Sequence, residues 1–287
     1  MGRSVFQLEN CLLISYPLPF GKHYLYAPYG PVVSEVTPDW LKNFKSEVSR
    51  VGREEKAIFV RLDFIPRVET KTLAHYFTPA SPHTYHGAYF QPRQEWLMTL
   101  DNEPKKLFQG FPKKTRYSIK TSQNRGVNTE IITGDFKKYF ESFDSLMSET
   151  ASRDSFSLHP RKYYEIIFDS LPTINAYLVV AKHQAEILAI NLIIIHDGVA
   201  NYVFGASSSE ERQRLPAYAA QWAGMQEAIR RGATHYNFGG VGEHWGGVSA
   251  FKQQFPGQVW QHSDLVDLVI SPFWYHLYNL RKRLQNR

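Results

Sequence analysis

The sequence predicts an α/β (α+β) protein built from two related domains, and three observations support that prediction. Strand-like and helix-like periodicities alternate along the chain, one strand–helix–strand order occurs twice, and its internal spacing is the same both times. In the second copy "NYVFGASS" precedes the helical "RLPAYAAQWAGMQEAIRRG" and the strand "THYNF". In the first, "HYLYAPYG" precedes "TPDWLKNFKSEVSRVG" and "KAIFVRLD". Tyr24 to Pro38 and Tyr202 to Pro216 are both 14 residues apart, and an aromatic (Trp40, Tyr218) follows each proline two positions on. The boundary is expected near Gly134, which gives domains 1–134 and 135–287, each a mixed sheet flanked by helices.

The individual elements follow from local chemistry. Three strands are predicted at Ala176–Ala181, Glu186–Ile195 and Ala200–Gly205, the last two joined by "HDGV", whose Asp-Gly is a hairpin signal. The helix after them opens on Pro216, carries the stripe Tyr218, Trp222, Met225 and Ile229, and closes at Gly232. Between the two copies, "EPKKLFQGFPKKTRYSIKTSQNRGV" concentrates Lys105, Lys106, Lys113, Lys114, Arg116, Lys120 and Arg125. It reads either as a solvated helical connector or as a cationic face for phosphates.

Composition excludes several classes. The chain has 287 residues, 43% hydrophobic and 21% charged, an ordinary globular balance. A single cysteine, Cys11, leaves no intrachain disulfide and points to a reducing compartment. The opening residues hold only a four-residue apolar run, and "ILAINLIII" is the longest one, so neither a signal peptide nor a membrane span is expected. The expectation is a soluble, cytoplasmic protein. A net charge of +6 suits anionic partners without requiring them.

The stretch "HYNFGGVGEHWGGVSAFKQQF" crowds five glycines into one turn. Gly242 and Gly247 have P-loop spacing, but Val248-Ser249 stand where Lys and then Ser/Thr are needed. Trp245 breaks the dinucleotide fingerprint, and Phe251 replaces the closing glycine of a nucleophile elbow. His83 and His86 lack further ligands nearby, so no metal is expected. No cysteine or serine nucleophile has a matching base.

A strand meander followed by loop, helix and strand is the order of an N-acetyltransferase-type core. In that family a glycine-rich loop binds the coenzyme A pyrophosphate through backbone N–H groups. Here that loop is "ERQRLPAY", and Pro216 removes a donor, which disfavours coenzyme A. Arg212 and Arg214 remain beside the helix N-terminus.

Taken together, "FPKKTRYSIKTSQNRGV", "SETASRDSF" with "YYEIIF", the segment from "YVFGASSS" through "THYNFGGV", and "FKQQFPGQ" resemble the Fem-type aminoacyltransferases, in order, from about Pro17 onward. The resemblance implies two tandem N-acetyltransferase-like domains and no cofactor. It implies transfer of an amino acid from aminoacyl-tRNA to the stem-peptide side-chain amine of a muramyl-pentapeptide precursor, nucleotide- or lipid-linked, in building peptidoglycan bridges. It places Phe251 and Lys252 at the transfer site, on the helix after the glycines, where a lysine stabilises the oxyanion formed on the tRNA ester. By residue type alone this pair reads as a surface lysine beside a core phenylalanine.

Further roles come with the resemblance. Arg214 and Tyr218 match an Arg-x-x-x-Tyr that holds acceptor phosphates, with Lys22 a further candidate from the first domain. Tyr218 also belongs to the helix stripe. Tyr236, Gly239 and Gly240 are expected to line the cleft, and Lys113, Lys114 and Arg116 to meet tRNA phosphate. Asp154 and Glu243 are the carboxylates available as bases, although Asp154 next to Arg153 also reads as an ion pair.

The chain departs from the family pattern in three ways. It opens almost on the first strand, its Tyr236-Asn237-Phe238 lacks the aspartate of the family's Tyr-Asp-Phe, and no charged heptad hairpin provides a coiled-coil arm. Two other readings stay open: a coenzyme A-dependent N-acyltransferase and a non-catalytic RNA- or precursor-binding relative. The tail "SPFWYHLYNLRKRLQNR" suits either an anionic membrane face or docking on the core.

Overall fold

The computed structural model describes residues 3–81, 91–154, 156–242 and 246–285. They form two compact units, one of residues 1–93 and 261–287, the other of residues 94–260.

The first segment lays down β1 (Val5–Gln7), β2 (Leu12–Pro17), β3 (His23–Ala27), α1 (Pro38–Glu54), β4 (Phe59–Leu62), the short α2 (Thr70–Leu73) and β5 (Thr78–Pro79). Local chemistry sets the start of α1: the Thr37 hydroxyl accepts from the Trp40 N–H at 3.2 Å, and Pro38 occupies the first turn. Leu41, Phe44, Val48 and Val51 bury one stripe of the helix.

The second unit contains β6 (Gln94–Thr99), α3 (Pro104–Gly110), α4 (Lys113–Asn124), β7 (Asn128–Ile132), α5 (Phe140–Asp154), α6 (Arg161–Ser170), β8 (Ala176–His183), β9 (Glu186–His196), β10 (Val199–Ser207), α7 (Pro216–Arg230), β11 (His235–Gly240), α8 (Gly246–Lys252) and β12 (Gln258–Gln261). The chain then returns to the first unit with β13 (Val266–Val269) and α9 (Pro272–Gln285). The sheet orders are β1-β2-β3-β4-β13-β5 and β12-β6-β11-β10-β9-β8-β7.

The repeated strand–helix–strand order is present in both units. β3 and β4 pair in parallel across α1, and β10 and β11 pair in parallel across α7. The β9–β10 turn has Asp197 at φ 47 and Gly198 at φ 73, the left-handed pair that a two-residue hairpin demands. Each sheet is covered on both faces. Along β8, Tyr177, Val179 and Ala181 enter one core with α7, while Ala176, Leu178 and Val180 enter another with α5 and α6. In the first unit Leu25, Val60 and Leu62 face α1, and Tyr24, Tyr26 and Phe59 face α9. This double coverage explains why "AYLVV" and "LAINLIII" read as nearly continuous apolar runs, the second interrupted at Asn191, rather than alternating ones.

The boundary differs from the one expected near Gly134. β6 sits between β12 and β11 in the second sheet, and α4 packs against α7, so the division falls between Arg93 and Gln94. The basic stretch is therefore not an interdomain connector but part of the second unit. The C-terminal segment also belongs elsewhere than expected, because β13 pairs with β4.

Candidate active site

The glycine turn is built by a strand irregularity. Asn237 lies opposite Leu97 and Gly240 opposite Glu95, so β11 spends three residues where β6 spends two. The extra residue is accommodated at Gly239, whose φ of +75 costs an L side chain about 1–2 kcal/mol. The Asn237 side-chain oxygen accepts from the Gly239 N–H at 2.8 Å and stabilises the bend. Gly242, Gly246 and Gly247 face open space, so of the five glycines Gly239 is the one whose conformation demands the residue type.

Phe251 and Lys252 stand at the C-terminal end of α8, whose first turn holds Gly246 and Gly247. Lys252 Nζ donates to the Gly240 carbonyl at 2.7 Å and lies 3.7 Å from where a Cβ on Gly239 would sit. The side chain is buried rather than a surface lysine, and burial lowers its pKa to about 8, opposed by the charge of Glu95. Glu95 is itself buried and accepts from Asn237 Nδ2 at 3.1 Å. Asn237 Nδ2 also faces Asn201 Oδ1 at 3.3 Å. A buried cation, a carboxylate and an amide thus gather on one side of the bulge.

Aromatic packing fixes the other side of Lys252. Tyr218, in the first turn of α7, meets the edge of Phe251 with ring centroids 5.1 Å apart, and its hydroxyl donates to Gln254 Oε1. Burial raises the Tyr218 pKa, opposed by its hydrogen bonds with Ser118 and Gln254. Trp96 Nε1 donates to the Phe255 carbonyl at 3.1 Å, and Thr115 Oγ1 donates to the Gln254 carbonyl. The turn carrying Lys252 is thereby tied to β6, α4 and α7.

The structure brings together Lys252, Phe251, Tyr218, Gly239 and Gly240, and adds Glu95, Asn237 and Gln254, which sequence reasoning did not assign. Other candidates fall elsewhere. Tyr236 is 0% exposed, and its hydroxyl donates to Gln221 at 2.8 Å. The two-residue strand period sends Tyr236 and Phe238 into the α7 core, so Tyr236 is a core residue rather than a cleft residue. Asp154 pairs with Arg153 at 3.1 Å, and Arg153 also donates to the Ser207 carbonyl at 2.9 Å, so the structure holds Asp154 in the ion-pair arrangement at the end of α5, away from Lys252 in sequence and in the contacts it makes.

Arg214 ends a 3-10 turn before α7 and is committed to Glu211 and, at 2.7 Å, to the Arg125 carbonyl. Lys113 and Lys114 are exposed in the first turn of α4, and Arg116 donates back to the Gln109 carbonyl. Lys22 lies in the first unit, its ammonium 4.9 Å above the Trp274 ring. Among the described residues no cluster of His, Cys, Asp and Glu suits a metal; His83, His86 and Glu243 lie outside them. At the start of α7, Pro216 follows Leu215 in a left-handed conformation at φ 58, and no side chain caps the helix.

Among solved structures, a crystal structure of FemX superposes with a TM-score of 0.80 at 20% identity over 96% of this chain and 90% of that one. L-PGS from Bacillus licheniformis gives 0.58 at 13% identity over 99% and 90%. A tandem GNAT protein from the clavulanic acid biosynthesis pathway gives 0.53 at 13% over 91% and 79%, so the fold is that of tandem N-acetyltransferase-like domains. Among curated proteins, the lipid II:glycine glycyltransferase of Staphylococcus haemolyticus (strain JCSC1435) is 22% identical over 83% of this chain and 74% of its own length. The enzyme of the same name from Staphylococcus aureus (strain USA300) is 22% identical over 88% and 78%. A family model described as FemAB family matches residues 81–186 and 180–283, well over half of the sequence, and on that ground the chain belongs to the FemAB family.

Proposed function

We propose that this chain is an aminoacyltransferase that moves an amino acid from aminoacyl-tRNA to the side-chain amine of a peptidoglycan precursor's stem peptide. Glycine is the residue named in its curated relatives, and lipid II the acceptor named there. The observation that carries the reading is Lys252, a buried cation aimed at the bulged Gly239–Gly240 turn and flanked by Phe251 and Tyr218. In the transfer, the acceptor nitrogen forms a bond to the ester carbonyl carbon, the carbon–ribose oxygen bond breaks, and the proton lost by the amine ends on the departing ribose oxygen. Negative charge builds on the carbonyl oxygen between those events, and a lysine protonated at neutral pH in a site shielded from water stabilises it. A group with a pKa of about 8 remains mostly charged at pH 7.

Arg214 and Tyr218 are assigned to the acceptor's phosphates, and Lys113, Lys114 and Arg116 to the tRNA backbone. The coenzyme A reading is disfavoured by Pro216, which removes a backbone donor from the α7 N-terminus. The test is a transfer assay with tRNA charged with labelled amino acids, using nucleotide-linked and lipid-linked muramyl pentapeptide as acceptors. RNase treatment, acetyl-coenzyme A and Lys252→Ala run alongside. RNase-sensitive label on the stem peptide that is lost in Lys252→Ala is expected. Label from acetyl-coenzyme A alone, or tRNA binding with no label on either acceptor, overturns the proposal.

A further inference from the structure

The inner side of α9 is fixed and its outer side is bare. Trp274, Tyr275 and Tyr278 pack on Tyr24 and Phe59, and the Tyr275 hydroxyl donates to Asp267 at 2.9 Å. Asp267 is itself held by the buried Arg61 through two bonds of 2.7 Å, so the rotation of α9 about its axis is set. On the opposite side Phe273, Leu277, Leu280 and Leu284 recur at i, i+4, i+7 and i+11, one narrow stripe. They are 68%, 39%, 46% and 62% exposed. Helical geometry sets Arg281 along one edge of this stripe and Arg283 along the other, and α9 contains no Asp or Glu.

A second segment of the same unit joins the stripe. Phe20, in the turn before β3, takes the left-handed conformation at φ 61 and is 86% exposed, an unusual position for a bulky side chain. Its ring centroid lies 6.3 Å from that of Trp274, which stacks edge-on with Phe273 at 5.6 Å. A contiguous exposed apolar surface of this kind marks an interaction site. The cations along both its edges select the partner: a second copy of the stripe would set Arg281 and Arg283 against their equivalents, whereas a phosphate-bearing lipid surface neutralises them. No described helix is long and apolar enough to cross a membrane, so α9 would lie in the interface plane.

We propose that the Phe273–Leu284 stripe together with Phe20 docks on an anionic lipid bilayer, the apolar side chains entering the headgroup boundary and Arg281 and Arg283 meeting lipid phosphates. The proposal does not rest on the transfer reading, because binding is read without donor or acceptor. The test is flotation of the purified chain with phosphatidylcholine vesicles, either pure or carrying about 30 mol% phosphatidylglycerol. Expected is recovery with the anionic vesicles, reduced at least about tenfold in Leu277→Ser/Leu280→Ser. Arg281→Gln/Arg283→Gln is expected to lose the preference for anionic over neutral vesicles. All four side chains are exposed, so unchanged circular dichroism and urea midpoints serve as the folding control. No flotation with either composition, or flotation unchanged in both variants, overturns the proposal. So does a dimer in sedimentation velocity that Leu277→Ser/Leu280→Ser dissolves while vesicle binding is absent.

Discussion

Replacing Lys252 by methionine is expected to make the protein more stable and inactive. Burial lowers the Lys252 pKa from 10.5 to about 8, and at 1.36 kcal/mol per unit the charged side chain costs about 3 kcal/mol at neutral pH. Methionine fills similar space without charge but loses the hydrogen bond to Gly240, worth about 1 kcal/mol, so Lys252→Met gains about 2 kcal/mol at pH 7. Between pH 8 and 10.5 the unfolded wild type binds more protons than the native state, so wild-type stability rises with pH across that window. The advantage of Lys252→Met therefore shrinks as the buffer moves from pH 7 to pH 10. Urea unfolding followed by tryptophan fluorescence measures both points, and transfer should fall by about 10²–10³ if the cation faces the oxyanion. A variant less stable than wild type at pH 7 would refute the burial argument, and one with full activity would refute the assignment of Lys252.

In Lys252→Arg the charge survives at any accessible pH, so the fall in kcat/KM as wild type passes pH 8 should disappear from its pH profile. A wild-type rate that keeps climbing through pH 10 would contradict this. Tyr236→Phe leaves Gln221 Oε1 without its 2.8 Å donor and is expected to lower stability by about 1–3 kcal/mol with KM unchanged; a raised KM returns Tyr236 to the site. Asp154→Asn breaks a partly exposed pair and should leave transfer within about threefold of wild type, with under about 1 kcal/mol lost in urea titration. Asn237→Asp replaces the amide donor to Glu95 by a second carboxylate, and the pair then shares a proton, so the alkaline limb of the rate profile should stay near 8 while urea titration shows about 1–3 kcal/mol lost; a limb moved well above 8 would mean that both carboxylates are ionised.

What the sequence made legible was whatever short-range chemistry encodes. Asp197-Gly198, Pro216 and Gly232 each mark a boundary with a backbone requirement of their own, and β8 to β11 appear within three residues of their predicted limits. The repeated spacing around Tyr24 and Tyr202 carried the tandem architecture for the same reason. Long-range pairing was not legible: nothing in "QEWLMT" says that it joins β11, or that "VDLV" joins β4, and the domain boundary depended on both. Residue adjacency also misled at Tyr236, which neighbours the glycines in sequence but points away from Asn237 because a strand alternates its faces. Glu95 was invisible for the first reason, since only the β6–β11 register sets it opposite Gly240.

That register also changes the meaning of Asn237. The family resemblance sets an aspartate at this position, and its loss counted toward a non-catalytic relative. In the folded protein Glu95 on the neighbouring strand sets a carboxylate beside this position, and Asn237 donates to it. An aspartate at 237 would leave two buried anions facing one another beside a single buried cation, an arrangement in which one carboxylate must hold a proton. With asparagine, the amide satisfies the carboxylate through Nδ2 and the Gly239 N–H through Oδ1, and Glu95 alone raises the pKa of Lys252 against its burial. One cation, one anion and one amide that bonds both the anion and the bulge form a balanced set. Asparagine is the residue that suits Glu95, and its presence supports a charged Lys252 at the bulge rather than a dismantled site.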